Sequence, residues 1–247
     1  MRRLYCSLDW VEPEHAVELA MRLRGAVGGF KVGAEYLLAH GAGGIERLAA
    51  VGLPFILDLK LNDLPRAVSQ TVRRAVGFRP SMITVHAGGG AAMMRAAMAA
   101  AHAAAEAGGF ARPRLLAVNV LTSMDDDDLR ATGVSGDMRE QTLRLSALAH
   151  ACGLDGVWTG ADEVGRLRAE FGADFILAVP GIRPVWSVSD DQKRIMTPGD
   201  AILRGADYLV VGRPITHASD QAAAARRIVD EMNAALAHSP EAQPGVL

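Results

Sequence analysis

Short apolar runs recur along the chain, and the stretches between them are longer and carry helical patterning or composition. The runs fall at 3–9, 28–33, 54–60, 81–86, 114–120, 155–159, 174–179 and 207–212, and they read as buried strands. The helical signal lies in segments that include 13–24, 63–76, 90–107, 137–151, 161–170 and 219–236. In 90–107 the alanine content argues for helix more strongly than periodicity does. Eight strands, each followed by a helix-bearing segment, predict parallel βα units. At 247 residues the simplest closure is a single (β/α)8 barrel, with a doubly wound open sheet as the alternative. No composition shift marks a linker, so one catalytic barrel is expected over 1–238. The remainder, 239–247, has two prolines and little apolar content and reads as a frayed tail. The acidic run Asp125-Asp126-Asp127-Asp128 reads as a solvated helix start.

In such a barrel chemistry collects at the C-terminal ends of the strands. Polar groups stand at seven of the eight. They are Asp9, Lys31, the pair Asp58 and Lys60, His86, Thr122 with Ser123, Gly181 with Arg183, and Gly212 with Arg213. The third end is the densest, in Leu57-Asp58-Leu59-Lys60-Leu61-Asn62-Asp63-Leu64-Pro65. Strand side chains alternate, so Asp58 and Lys60 share a face. A lysine between two carboxylates keeps its proton, and a second anion brought beside Asp58 is repelled. A cation ready to donate a proton, next to a carboxylate that repels an incoming carboxylate, suits decarboxylation. The plainer alternative is a strand-end ion pair, with Asp63 as the N-cap of the next helix.

The loops after the last two strands look built for phosphate. In Val211-Gly212-Arg213-Pro214 the glycine admits close backbone approach and the arginine can bind an anion bidentately. Pro180-Gly181-Ile182-Arg183-Pro184 adds a second such loop. The stretch from Gly181 to Thr197 lacks a helix pattern, is long for a βα connection, and carries Ser187, Ser189, Gln192, Lys193 and Arg194. It reads as a lid that closes over a phosphorylated substrate. The glycines after His86 read as packing and turn residues.

Composition narrows the classes. Half the residues are hydrophobic, enough for a sizeable core, and the formal net charge of −2 gives no basic excess for nucleic acid. Cys6 and Cys152 are far apart and show no metal-ligand spacing, so both read as reduced structural thiols. No dinucleotide fingerprint, phosphate-loop lysine motif or His/Cys/Asp metal cluster appears, so neither cofactor nor metal is expected. With no apolar signal-peptide core after Met1 and no run of membrane-spanning length, a soluble cytoplasmic protein is the expectation.

These residues closely resemble the orotidine 5′-monophosphate decarboxylase family over nearly the whole chain. The matching pieces are Leu8-Asp9, Phe30-Lys31-Val32-Gly33, Asp58 through Pro65, Val85-His86-Ala87, Leu121-Thr122-Ser123, Pro180 through Pro184, Asp191-Gln192-Lys193-Arg194-Ile195-Met196-Thr197-Pro198, and Gly212-Arg213-Pro214-Ile215-Thr216. The Asp-x-Lys-x-x-Asp pattern also occurs in sister families that act on sugar phosphates with magnesium, as decarboxylases or aldolases. Those place a metal-binding acid on the second strand, where this chain has Lys31. A catalytically silent nucleotide-binding barrel is the alternative from another class.

The resemblance implies decarboxylation of orotidine 5′-monophosphate to uridine 5′-monophosphate, without cofactor or metal, in a homodimeric barrel. By position, Lys60 would deliver the proton to C6 of the pyrimidine and Asp58 would lie against the substrate carboxylate. Asp63 would reach the neighbouring subunit's site. Asp9 and Lys31 would bind ribose hydroxyls, Ser123 the pyrimidine, and Gln192 and Arg213 the phosphate, with Pro180 and Gly212 among the substrate-binding positions. One position departs from the family pattern: Ala67 stands where a threonine usually contacts the ribose across the dimer.

Overall fold

Strand pairing runs in sequence order and returns to its start in the computed structural model of the chain, which describes residues 1–8, 12–187 and 196–238. The strands are β1 (Leu4–Ser7), β2 (Gly29–Gly33), β3 (Phe55–Leu61), β4 (Met82–His86), β5 (Arg114–Val118), β6 (Gly156–Trp158), β7 (Ile176–Pro180) and β8 (Tyr208–Val211). Every pair is parallel, and β8 closes on β1 through Tyr5↔Val210. The closed barrel excludes the open doubly wound sheet.

The helices are α1 (Pro13–Arg22), α2 (Ala34–Ala49), α3 (Pro65–Gly77), α4 (Gly90–Gly108), α5 (Asp126–Ala131), α6 (Met138–Ala151), α7 (Val164–Phe171), α8 (Pro198–Leu203), α9 (Arg213–Thr216) and α10 (Gln221–Ala237). The expected helix at 63–76 begins at Pro65. A residue before proline is driven out of helical conformation, and Leu64 sits at φ −52°, ψ 143°. Asp63 is therefore not the cap; its Oδ1 accepts the Leu64 amide at 2.6 Å. The acidic run does start a helix: Asp125 and Asp128 form a reciprocal capping box at the head of α5. α2 carries no continuous pattern in the sequence because it breaks at Gly41, where φ is +61°.

Tyr5, Ile56, Met82, Leu116, Val118, Trp158, Ile176, Ala178 and Val210 form one buried cluster, with Tyr208 packed against it. They come from seven of the strands and fill the barrel interior. Tyr5 and Tyr208 meet edge-on, with ring centroids 5.6 Å apart. Gly29 makes room for this pair, since a Cβ there would lie 2.5 Å from the Tyr5 ring. A second, larger cluster joins the outer faces of the strands to the helices, with Phe30, Ile83, Leu115, Val157, Leu177 and Leu209 on the strand side. Both faces of each strand are thus buried, which is why the strands read as continuous apolar runs.

At the N-terminal rim two aspartates tie neighbouring strands together. Asp155, just before β6, accepts the Leu115 amide of β5 at 2.7 Å and a bidentate Arg112, also at 2.7 Å. Asp207, just before β8, accepts the Leu177 amide of β7 at 2.8 Å and Arg168 at 2.6 Å. Among the described residues no helix is long and apolar enough to cross a membrane. The segment 239–247 lies outside the described residues.

Candidate active site

β3 and β4 slip against each other at the barrel mouth. Leu57 pairs with Ile83, but Leu61 pairs with Val85, so β3 carries extra residues across the same stretch. Within the bulge Lys60 takes φ +45°, a left-handed conformation that costs a non-glycine residue about 1–3 kcal/mol. This irregular stretch carries the two charged groups. Asp58 Oδ2 lies 2.5 Å from Lys60 Nζ and 3.8 Å from Lys31 Nζ. The Asp58 side chain is only 3% exposed, whereas that of Lys60 is 39% exposed. The carboxylate is locked in place and the ammonium faces open space. Oδ1 of Asp58 accepts the Thr84 hydroxyl at 2.8 Å.

Trp158 completes this corner from β6, the one strand end left out of the polar set read from the sequence. Its ring centroid lies 5.9 Å from Lys60 Nζ, within range of a cation–π contact. His86 ends β4 with its Nδ1 accepting the Gly88 amide at 3.0 Å. Burial, and then the nearby Lys60 charge, hold its imidazole below the usual histidine range. The glycines that follow act in packing: a Cβ on Gly89 would lie 2.2 Å from Met93 Sδ and 2.8 Å from Asn62 Oδ1.

Lys60, Asp58, Lys31 and Trp158 line one end of a cavity of about 770 Å³, within the usual range for small-molecule sites. Pro180, Gly181, Arg183, Gly212 and Arg213 also line it, from the end of β7 and the segments that follow β7 and β8. A Cβ on Gly212 would meet only Ser7, at 3.5 Å, so the glycine leaves the approach to this backbone open. The cationic lining residues are Arg22, Lys31, Lys60, Arg183 and Arg213, and Asp58 is the one carboxylate among the lining residues described. Such a wall attracts a multiply charged anion.

The expected site residues divide three ways. Lys31, Asp58, Lys60, Pro180, Gly212 and Arg213 come together on the cavity wall. Ser123 is exposed in the turn after β5, and its neighbour Thr122 lines the cavity. Asp63 is exposed and is not among the lining residues of its own chain. Asp9 and Gln192, like Ser189, Lys193 and Arg194 of the expected lid, lie outside the described residues. Ser187, at the near end of that loop, donates its hydroxyl to Pro184 O at 2.9 Å. Thr84 and Trp158 escaped sequence reasoning. The available signal for Thr84 was strand alternation, since it lies two residues before His86 on β4.

Comparison with known proteins places the sequence and the fold in a family. The sequence model of the orotidine 5′-phosphate decarboxylase / HUMPS family matches residues 2–228. An orotidine 5′-phosphate decarboxylase of Rhodospirillum rubrum is 48% identical over 230 residues, 93% of either chain. One from Paramagnetospirillum magneticum is 45% identical and spans 93% of this chain and 97% of the relative. The crystal structure of orotidine 5′-phosphate decarboxylase from Lactobacillus acidophilus superposes with a TM-score of 0.83 at 35% identity, covering 94% of this chain and all of that one. The chain belongs to the orotidine 5′-phosphate decarboxylase / HUMPS family.

Proposed function

We propose that Lys60 is the proton donor in the reaction of this chain, the decarboxylation of orotidine 5′-monophosphate to uridine 5′-monophosphate in pyrimidine biosynthesis. The observation that carries this reading is the half-exposed Lys60 ammonium 2.5 Å from a carboxylate that is almost wholly buried. Substrate would lie with its phosphate against Gly212 and Arg213 and its pyrimidine against the Lys60 corner. Lys31 would meet the ribose, Pro180 would help enclose the ligand, and Ser123 would close on the pyrimidine from the β5 loop. Asp9 and Gln192 are assigned to ribose and phosphate on the family resemblance alone.

In the chemical step the bond between C6 and the carboxylate carbon breaks, carbon dioxide leaves, and the electron pair stays on C6. Lys60 gives that carbon a proton and is later reprotonated from solvent. Negative charge develops beside a preorganised ammonium, where such a group stabilises a transition state most. The substrate carboxylate would lie against Asp58, and departure of neutral carbon dioxide relieves that like-charge contact. Binding at the phosphate, remote from the reacting bond, orients the ring.

The exposed position of Asp63 supports a homodimer in which it serves the partner's site. We place the enzyme in the cytoplasm, consistent with two buried thiols, Cys6 and Cys152, that form no disulfide. An absorbance assay on orotidine 5′-monophosphate, run with and without a chelator, tests the whole reading. Turnover indifferent to the chelator is expected. Turnover that the chelator abolishes would point to the magnesium-dependent sister chemistry, and binding without turnover would point to a silent nucleotide-binding barrel.

A further inference from the structure

Thr84 is fully buried on β4, and its one hydroxyl bonds both Asp58 and the Lys60 backbone of β3. It donates to Asp58 Oδ1 at 2.8 Å and accepts the backbone N–H of Lys60 at 2.9 Å. The first bond fixes the plane of the carboxylate and turns Oδ2 toward Lys60 and Lys31. The second holds the Lys60 backbone at the bulge, where φ is +45° and β3 slips against β4. A hydroxyl has one proton to give and lone pairs to accept with, so a single atom satisfies both partners.

We infer that Thr84 is a positioning residue for proton transfer: its hydroxyl ties the Asp58 carboxylate to the strained Lys60 backbone and so aims the ammonium before substrate arrives. The inference rests on the reading of Lys60 as proton donor. A Lys60 free to relax from its left-handed conformation would carry its ammonium away from Asp58 Oδ2. An error of about 1 Å in a reacting group can cost roughly a hundredfold in rate. Gly212 and Arg213 follow β8 at the head of α9, a different part of the cavity wall. Loss of the Thr84 hydroxyl should therefore fall on the chemical step and spare nucleotide binding.

Valine has nearly the shape of threonine without the hydroxyl. The test compares the full-length wild type with Thr84→Val, Thr84→Ser and Lys60→Ala, reading kcat and KM for orotidine 5′-monophosphate and Kd for uridine 5′-monophosphate. Thr84→Val is expected to lose roughly tenfold to a hundredfold in kcat with KM and Kd close to wild type. Thr84→Ser, which keeps the hydroxyl, should recover most of that loss. If Thr84→Val does not fold, Thr84→Ala against Thr84→Ser makes the same comparison. A folded Thr84→Val with wild-type kcat overturns the inference. So does a loss shared equally by KM and Kd, or a serine variant no better than valine. Lys60→Ala separates the two levels: substantial turnover in that variant overturns the proton-donor reading and this inference together. A dead Lys60→Ala beside a wild-type Thr84→Val overturns only the role of Thr84.

Discussion

Lys60 and Arg213 stand in different parts of one cavity wall, and their proposed tasks separate cleanly in experiment. Lys60→Ala removes the proton donor but leaves the loops after β7 and β8 intact. Turnover should fall by roughly 10²–10⁴-fold or more, while uridine 5′-monophosphate binding, followed by calorimetry, remains measurable. Substantial residual decarboxylation would remove Lys60 from its role. Arg213→Ala should instead cost the nucleotide substrate the value of one charge-assisted hydrogen bond, about 1.5–3 kcal/mol in kcat/KM. The nucleoside, which lacks the phosphate, should be almost indifferent. An equal loss on both substrates would show that Arg213 does not hold phosphate. The residues that the sequence disclosed have a common trait: Asp58, Lys60 and Asp63 are packed into one short segment, and Gly212 and Arg213 are adjacent. Thr84 and Trp158 are single residues on other strands, one of them a polar group in the middle of an apolar run and the other a strand-end aromatic that looks like core. Pairing of β4 with β3 brings Thr84 against Lys60, and the curl of the sheet into a barrel brings Trp158.

Strands were the most legible elements, because burial on both faces leaves an unbroken apolar run. The missing pieces are helices too short or too interrupted to establish a period: α8 and α9 span six and four residues, and α2 is broken at Gly41. Also hidden were the clasps at the N-terminal rim, since nothing local to Asp155 announces that Arg112 and the Leu115 amide will meet it. These clasps make a prediction at the scale of the element. Burial alone would raise the Asp155 carboxyl, but the Arg112 hydrogen bonds, the Leu115 amide and the guanidinium charges outweigh it and hold the group below the usual aspartate range. A carboxyl lowered in the folded state contributes stability that is complete above its unfolded value of about 3.9. That stability is lost as pH falls through the lower folded value. Asp155→Asn should therefore cost roughly 1.5–3 kcal/mol near neutral pH, with the gap to wild type closing in acid. Urea unfolding of both proteins between neutrality and strong acid reads this directly. A gap of constant size would mean that the clasp acts through packing and not through charge.

The whole molecule proposed here is a dimer, and its architecture has a consequence that no single chain can display. Asp63 is exposed at the end of the β3 loop, outside the cavity lining of its own chain, beside Leu64, which is 73% exposed. If Asp63 serves the partner's site, Lys60→Ala and Asp63→Ala damage different halves of each site. A hybrid dimer of the two variants then has one site with both lesions and one with neither. Mixing two nearly inactive preparations should restore activity as subunits exchange, up to one working site per hybrid. With equal amounts and random exchange, half the dimers are hybrids, so recovery approaches about a quarter of the wild-type site count, a combinatorial estimate for two-fold assemblies. If Asp63 acted within its own chain, every site in every hybrid would keep one lesion and mixing would restore nothing. Differently tagged variants, purified through both tags in succession, isolate the hybrids and settle that they have formed. Such hybrids without activity would defeat the shared site and leave Asp63 as a local group that holds the Leu64 amide at the entry to α3.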